Sequence, residues 1–209
     1  MGYELTNNDV RVLRAAALCA SSDPERPLIA SVHLEGATAP GFDAPGVAVA
    51  TDSYRMGWGP LSFAPGSCTL SAADLVRALK AWKAPKRGTG SLDGDASGLV
   101  LDVEGEGSLL RFSVAYPTGD VFWGNVVYGT YPDWRQLVPA SWPAEVGQAG
   151  DYLAAFNSSF LADLAKIAKA LELDAATVPV RVSVSDRNRP GLFAFAGRFS
   201  YLLMPVRVS

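Results

Sequence analysis

Few side chains in this sequence are of the kinds that catalyse reactions or bind metals, and their spacing does not form a known site. The single histidine, His33, lies in an alternating stretch typical of a strand, where a core or edge role is commoner than catalysis. Cys19 and Cys68 lack CxxC spacing and are interpreted as two reduced, buried thiols of a cytosolic protein. No GxSxG, HExxH or P-loop motif occurs. The sequence therefore predicts a protein without catalytic activity, cofactor or metal.

The basic residues are the stronger functional signal. Although the net charge of −3 gives no general attraction to nucleic acid, 7 of the 18 basic residues recur on three predicted helices, away from the leucine stripe of each. An ordinary solvated helix face would have the same composition. The repetition favours the hypothesis that these side chains face the phosphates of duplex DNA without reading bases. They are Arg11, Arg14, Arg77, Lys80, Lys83, Lys166 and Lys169.

Composition sets the class of the protein. The chain has 209 residues, of which 49% are hydrophobic, enough for one or two buried cores. It contains no run of about eighteen apolar residues that could span a membrane. The N-terminal residues lack the basic and apolar regions of a signal peptide. We therefore expect a cytoplasmic protein that does not associate with membranes.

The stretch Val127–Pro139 is the most unusual part of the chain. It contains Tyr131 and Trp134, apolar rings that need burial, next to Pro132, which prevents a helix from running through. Arg135 needs a charged or polar partner. We interpret the stretch as a strand that leaves one folded unit and docks against the next, although an ordinary aromatic-rich strand end would have the same pattern.

The periodicity predicts three helices, Asn8–Ala20, a second from the Ser71 cap to Lys83, and a third from the Asn157 cap to Leu171. The predicted helices and strands follow in the order β-α-β-β-β, repeated three times. This predicts an α+β fold with helices on one side and antiparallel sheets on the other. The predicted strands are Gly2–Leu5, Leu28–Glu35, Gly46–Met56, Ser62–Leu70, Leu99–Val103, Leu110–Tyr116, Val121–Tyr128, Tyr152–Phe156, Val178–Ser185, Leu192–Ala196 and Tyr201–Val208.

Three segments resemble the bacterial DNA polymerase III β sliding clamps. ATDSYRM at Ala50–Met56 resembles the clamps' ATDGHRL, and YPDWRQLVP at Tyr131–Pro139 resembles their (F/Y)PDYRRVLP. LMPVRV at Leu203–Val208 resembles their closing VMPMRL. The resemblance implies a shortened clamp fold, in which residues 1–139 resemble the middle clamp domain. Residues 140–209 resemble the C-terminal half of the last domain.

In the family these segments form a pocket that receives short linear peptides from polymerase and other partners. The resemblance implies an apolar floor for the partner's Leu or Phe, with Arg and Asn groups beside it. Ser53 and Tyr54 replace Gly-His of the family, so we expect an altered peptide preference. The matching positions are Thr51, Tyr54, Arg55, Met56, Pro132, Arg135, Asn157, Phe160, Met204, Pro205, Val206 and Arg207.

The function that this resemblance implies is a DNA polymerase processivity factor in DNA replication. Its partners would be double-stranded DNA, a polymerase and a clamp loader, and its compactness would suit a phage genome. The alternative is a clamp-derived regulator that binds clamp-interacting peptides without encircling DNA. Because the chain has three units where a family ring has twelve, we expect a homo-oligomer held partly by sheet edges of Tyr152–Val208.

Overall fold

The computed structural model describes residues 2–38, 40–83, 95–105, 110–138, 154–174, 179–184 and 188–206. These residues contain three α-helices, α1 (Asn7–Ala17), α2 (Ala72–Leu79) and α3 (Ser158–Ala170), and a 3-10 turn at Trp134–Leu137. The strands are β1 (Tyr3–Thr6), β2 (Ser31–Glu35), β3 (Gly46–Thr51), β4 (Arg55–Leu61), β5 (Cys68–Ser71), β6 (Ala96–Glu104), β7 (Arg111–Ala115), β8 (Val121–Asn125), β9 (Val180–Ser183), β10 (Gly191–Phe195) and β11 (Phe199–Leu203).

The strands form two sheets, both antiparallel as the sequence predicted. One sheet has four strands in the order β1-β6-β7-β8, and the other has seven in the order β5-β2-β3-β4-β11-β10-β9. The pairing of β4 with β11 joins strands from both parts of the chain into one sheet, because β4 lies before residue 139 and β11 after it. The fold class is therefore α+β.

The predicted repeat of β-α-β-β-β is present in full in two units, with boundaries that differ from the prediction, whereas the described part of the third unit has the order α-β-β-β. We call β1-α1-β2-β3-β4 unit 1 and β5-α2-β6-β7-β8 unit 2. Unit 3 comprises residues 154–206, with α3 and β9-β10-β11. The predicted single strand Gly46–Met56 is wrong, since it is the first strand and turn of the β3–β4 hairpin. The predicted strand Ser62–Leu70 is also wrong, since only Cys68–Ser71 is a strand, and it opens unit 2.

Strand β4 was missed because its composition is unfavourable for a strand. It contains Gly57, Gly59 and Pro60, residue types that are depleted in strands. The structure explains the glycines, because helix α1 and its C-terminal turn lie close to this strand. A Cβ atom on Gly57 would approach the Cys19 sulfur to 2.5 Å, and one on Gly59 would approach Val12 to 2.9 Å. Tertiary packing has overridden the local preference.

Side-chain caps set the starts of the helices. Thr6 caps α1 in a capping box with Asp9, and the Ser71 hydroxyl accepts the Asp74 amide at the start of α2. Asn157 caps α3. Helices α1 and α2 end before the predicted Ala20 and Lys83 because the chain tightens into 3-10 hydrogen bonds, such as that from the Trp82 amide to the Leu79 carbonyl.

One hydrophobic core lies between the helices and both sheets and includes Leu13, Leu75 and Ile167 from the three helices. A second, smaller cluster covers the outer face, by which we mean the face of the seven-stranded sheet that points away from the helices. There the segment Val126–Val138, which we call the connector, buries Tyr131 and Trp134 against strand residues. The cluster includes Leu192 of unit 3, so the connector docks on the next unit as predicted. The predicted strand is wrong, because the described part of the connector is irregular chain with a 3-10 turn at Trp134–Leu137.

Candidate peptide-binding site

The tip of the β3–β4 hairpin is a turn closed by side-chain hydrogen bonds. The Asp52 carboxylate accepts the backbone amides of Tyr54 and Arg55 at 2.9 and 3.0 Å, and the Thr51 hydroxyl donates to the Arg55 carbonyl at 2.7 Å. Ser53 has a φ of 81°, a left-handed conformation that is uncommon for residues other than glycine. As a result Tyr54 points outward, with 62% of its surface exposed.

Arg55 faces helix α3 rather than solvent, although the resemblance placed it beside a bound peptide. Its Nε donates to the Asp52 carboxylate at 2.9 Å, and its guanidinium forms an ion pair with Asp163 of α3. The same guanidinium lies over the Phe160 ring at 4.9 Å. Only about 12% of the Arg55 side chain is exposed. Arg55 therefore fixes the hairpin tip on α3 and acts as a positioning residue.

The C-terminal segment completes the surface around the hairpin tip. Beyond β11, the Met204 amide donates to the Tyr54 carbonyl at 2.9 Å, and the Val206 amide donates to the Ala155 carbonyl at 2.7 Å. Met204 and Val206 keep 41% and 45% of their surfaces exposed. The Tyr54 ring stacks on Phe160 at 6.2 Å. The hairpin tip, the start of unit 3 (Ala155–Phe160) and the C-terminal segment, which are distant in the sequence, thus meet where Tyr54, Met204 and Val206 are exposed.

Met56 does not form an open floor beneath this surface. It is 2% exposed and packs with its cross-strand neighbour Leu202 under Tyr131 and Trp134 of the connector. Leu202 belongs to this region but was missed by the sequence reasoning, although strand alternation places it on the same face as Met204. The large exposed apolar side chains of the connector are Tyr128, at 52%, and Leu137, at 53%.

The remaining predicted residues have structural partners. Arg135 donates to the Glu35 carboxylate at 2.6 Å and to the Thr38 carbonyl at 3.1 Å, which ties the connector to β2. The Asn157 carboxamide accepts the Ser159 amide at the start of α3. Pro132 is exposed and Pro205 is half-buried. Arg207 lies outside the described residues.

His33 packs against the connector through its ring. Its ring stacks on Tyr131 at 4.6 Å with an interplanar angle of 7°, and its Nδ1 lies 2.9 Å from the Thr69 hydroxyl. Burial lowers the pKa of His33 below its ordinary value of 6.5, and the nearby Glu35 only partly offsets this. The folded chain therefore holds His33 neutral.

Acidification from pH 7.5 to 5.5 is expected to destabilise the fold through His33. Below the unfolded pKa of about 6.5 the unfolded chain binds the proton more readily than the folded one, so stability falls as the pH falls. One titrating group can lower the free energy of unfolding by at most about 1.4 kcal/mol for each pH unit. Melting temperatures across this range would measure it, since the chain has one histidine. His33→Gln should flatten the profile, and an unchanged slope in that variant would contradict the assignment.

The basic residues of the helices divide into exposed and buried groups. Arg77, Lys80, Lys83, Lys166 and Lys169 are exposed, although Arg77 and Lys166 pair with Asp74 and Asp163. Arg11 is 8% exposed and pairs with Glu172 at 2.7 Å, so the expectation that it points to solvent is wrong. Arg14 is half-buried over the Trp82 ring. The cause is packing, since α1 lies between α2 and α3.

Within the described ranges, no group of His, Cys, Asp and Glu side chains is arranged to hold a metal ion, and no helix is long and apolar enough to cross a membrane. Both cysteines are free thiols. Burial raises the pKa of Cys19 to about 12 and that of Cys68 to about 11, so both are protonated near neutral pH.

The architecture has one layer of helices and two antiparallel sheets, and the pairing of β4 with β11 joins the two parts of the chain. The chain has the fold of the DNA polymerase III β sliding clamps. This rests on structural similarity, since no protein-family profile and no curated protein matches the sequence.

Solved clamps align with the whole chain at low sequence identity. The β chain of DNA polymerase III from Streptococcus pneumoniae TIGR4 has a TM-score of 0.68 at 15% identity, and the sliding clamp from Bacillus subtilis has 0.65 at 16%. The β subunit from Borrelia burgdorferi has 0.71 at 10%. Each alignment covers 100% of this chain and 65% of the clamp chain. The chain therefore spans about 65% of the length of these clamps.

Proposed function

We propose that this protein is a processivity factor without catalytic activity, which binds duplex DNA non-specifically and tethers a polymerase through a short peptide motif. In this proposal, residues 1–139 take the part of a middle clamp domain and residues 140–209 that of half a last domain. The protein acts in the cytoplasm on replicating DNA. The observation that carries the proposal is the meeting of the hairpin tip, the start of unit 3 and the C-terminal segment around Tyr54.

The exposed groups around Tyr54 support the peptide part of the proposal. Tyr54, Met204 and Val206 present apolar side chains at the ends of strands whose backbones are already paired. Large exposed apolar groups that gather on one surface mark interaction sites more often than scattered ones do. A peptide with leucine and phenylalanine anchors matches this surface, because it would remove these side chains from water.

The helix layer supports the DNA part of the proposal. Helix α1 packs against both α2 and α3, so the three helices form one layer. Exposed lysines lie on α3 and just beyond the end of α2, at Lys80, Lys83, Lys166 and Lys169. Flexible ammonium groups on helices suit contact with phosphates, because they neutralise charge without requiring one base sequence.

Met204→Ala combined with Arg207→Ala is expected to weaken binding of a synthetic peptide with leucine and phenylalanine anchors by roughly ten- to hundredfold. The reason is the loss of a buried apolar contact in the complex, which costs about 1–3 kcal/mol. Isothermal titration with wild type and variant would measure it. Val76→Ala, which truncates another exposed apolar side chain (48%), on α2, is the matched control. Equal affinities for the wild type and the double variant would refute the peptide site.

The second candidate is a regulator that binds clamp-interacting peptides without encircling DNA. The observation that favours it is that three of the seven predicted DNA-binding cations, Arg11, Arg77 and Lys166, already pair with carboxylates of the chain. The two functions differ in DNA retention. A protein that bound the peptide but showed no salt-dependent binding to duplex DNA would be the regulator.

A further inference from the structure

The three units are related position by position through shared hydrogen bonds. In units 1 and 2, the residue three positions after the helix cap is an aspartate that accepts a backbone amide from the end of the unit's last strand. In unit 1 the Ser62 amide donates to Asp9 at 2.8 Å, and in unit 2 the Asn125 amide donates to Asp74 at 3.0 Å. Units 2 and 3 share a second bond at 2.7 Å, from Val127 to Thr69 and from Val206 to Ala155. These bonds set the equivalence of residues between units.

Units 1 and 2 form a reciprocal pair. Each unit contributes its first strand to the sheet of the other, so that β1 of unit 1 pairs with β6 of unit 2, and β5 of unit 2 pairs with β2 of unit 1. Helices α1 and α2 pack against each other between these strands. The arrangement is that of an approximate two-fold axis, and it covers one edge of each sheet.

Unit 3 has no such mate among the described residues, and two equivalent positions show the consequence. Four residues after each helix cap, Val10 and Leu75 are 0% exposed, whereas Leu161 is 37% exposed. The strand pairing within each unit shows a second set of equivalent residues, one in each unit. These are Leu34, which is 0% exposed, Leu101, which is 1% exposed, and Val182, which is 58% exposed. Leu34 and Leu101 each lie beside the strand that the other unit contributes.

We propose that a second copy of this chain covers this surface, with unit 3 of one copy paired to unit 3 of the other as unit 1 pairs with unit 2. Residues Ala154–Phe156 of each copy would lie beside β9 of the other, and the two α3 helices would pack together. We choose a second copy as the partner because units 1 and 2 cover each other in the same mutual way. Unit 3 has both the uncovered β9 edge and the segment before the helix cap that covers such an edge, so a two-fold pair satisfies both at once.

The pairing between units 1 and 2 predicts the register of the strand pair between the two copies. In the pair of β5 with β2, Thr69 lies opposite His33, and their side chains are in contact at 2.9 Å. The equivalent residues are Ala155 and Arg181. Residues opposite each other in antiparallel strands have Cα atoms about 4.5–5.5 Å apart, which is within the range that a disulfide bridges.

Cysteine cross-linking tests this register. Under mild oxidation, the double variant Ala155→Cys/Arg181→Cys should form a covalent dimer, seen on a non-reducing gel, while each single variant stays largely uncrosslinked. The control pair Ala155→Cys/Val182→Cys is shifted by one residue, which turns the second thiol to the other sheet face. No dimer in the test pair, or equal cross-linking in the control pair, would overturn the proposed register.

Light scattering tests the association without a cross-link. Wild type should show twice the monomer mass of 22.1 kDa at micromolar concentration. Leu161→Arg/Val182→Arg should raise the dissociation constant about 100-fold or more, because it places charges in the centre of the interface. Val76→Arg, at an exposed position on α2, should leave the dimer intact. A wild-type monomer at high micromolar concentration, or a double variant that associates like wild type, would overturn the proposal. This inference stands independently of the proposed function.

Discussion

Replacing Lys80, Lys83, Lys166 and Lys169 by glutamate is expected to abolish retention of duplex DNA at moderate salt. These four exposed lysines lie in the helix layer, where their loss would remove up to four phosphate contacts and introduce repulsion. Each contact contributes about 0.9 to the slope of log affinity against log salt concentration, so the slope should fall by about 3 to 4. Binding to a fluorescent duplex at several salt concentrations would measure both effects, and processive synthesis should be lost together with binding.

The controls separate a local surface from overall charge. Arg111→Glu changes one exposed cation on the face of the four-stranded sheet that points away from the helices, since its neighbour Phe112 points into the core. It should affect binding much less than Lys80→Glu does. Lys166 pairs with Asp163, so the melting temperature of the quadruple variant must also be measured. A folded quadruple variant that retained DNA as well as wild type would exclude this surface.

Arg55→Met is expected to lower the free energy of unfolding by up to about 3–5 kcal/mol, because it removes the partner that Asp52 and Asp163 share and leaves Asp163 with Lys166 alone. These carboxylates are only 13% and 11% exposed, so water compensates poorly for the lost charge. The hairpin tip would also lose its attachment to α3, and peptide affinity should fall with stability. Denaturant unfolding monitored by tryptophan fluorescence would measure the change.

A matched ion pair on the surface provides the control for Arg55. Arg77 pairs with Asp74 within α2, but 66% of its side chain is exposed. Arg77→Met should therefore cost at most about 1 kcal/mol. Adding Asp163→Leu to Arg55→Met should recover part of the loss, because removing both partners of a buried pair costs less than removing one. Equal destabilisation by Arg55→Met and Arg77→Met would contradict the anchoring role.

Sequence patterns predicted the helices and the order of the units because both depend on local chemistry. The caps Thr6, Ser71 and Asn157 and the apolar spacing that follows them identify amphipathic helices without knowledge of their neighbours. Strand β4 could not be found in this way. Its glycines are explained by the close approach of α1, a contact between residues that are distant in the chain.

The candidate site was located by sequence at the level of segments, but not of side chains. The resemblance selected the hairpin tip, the connector and the C-terminal end, and the structure brings the tip and the C-terminal end together around Tyr54. The resemblance could not show that the connector covers Met56 or that Leu202 lies beside Met56. Which side of a strand faces water depends on what packs there, and a motif does not record this.

The sequence by itself determined the α+β class, the threefold repeat and the segments of the candidate site, since helix caps, periodicity and motifs are properties of neighbouring residues. Only the tertiary structure decided which charged groups remain available. Arg11, Arg55 and Arg77 look alike in the sequence, yet Arg11 is paired with Glu172, Arg55 holds the hairpin on α3, and Arg77 is largely exposed. The physical reason is that desolvation and pairing of a charge are set by groups that the fold brings from elsewhere in the chain.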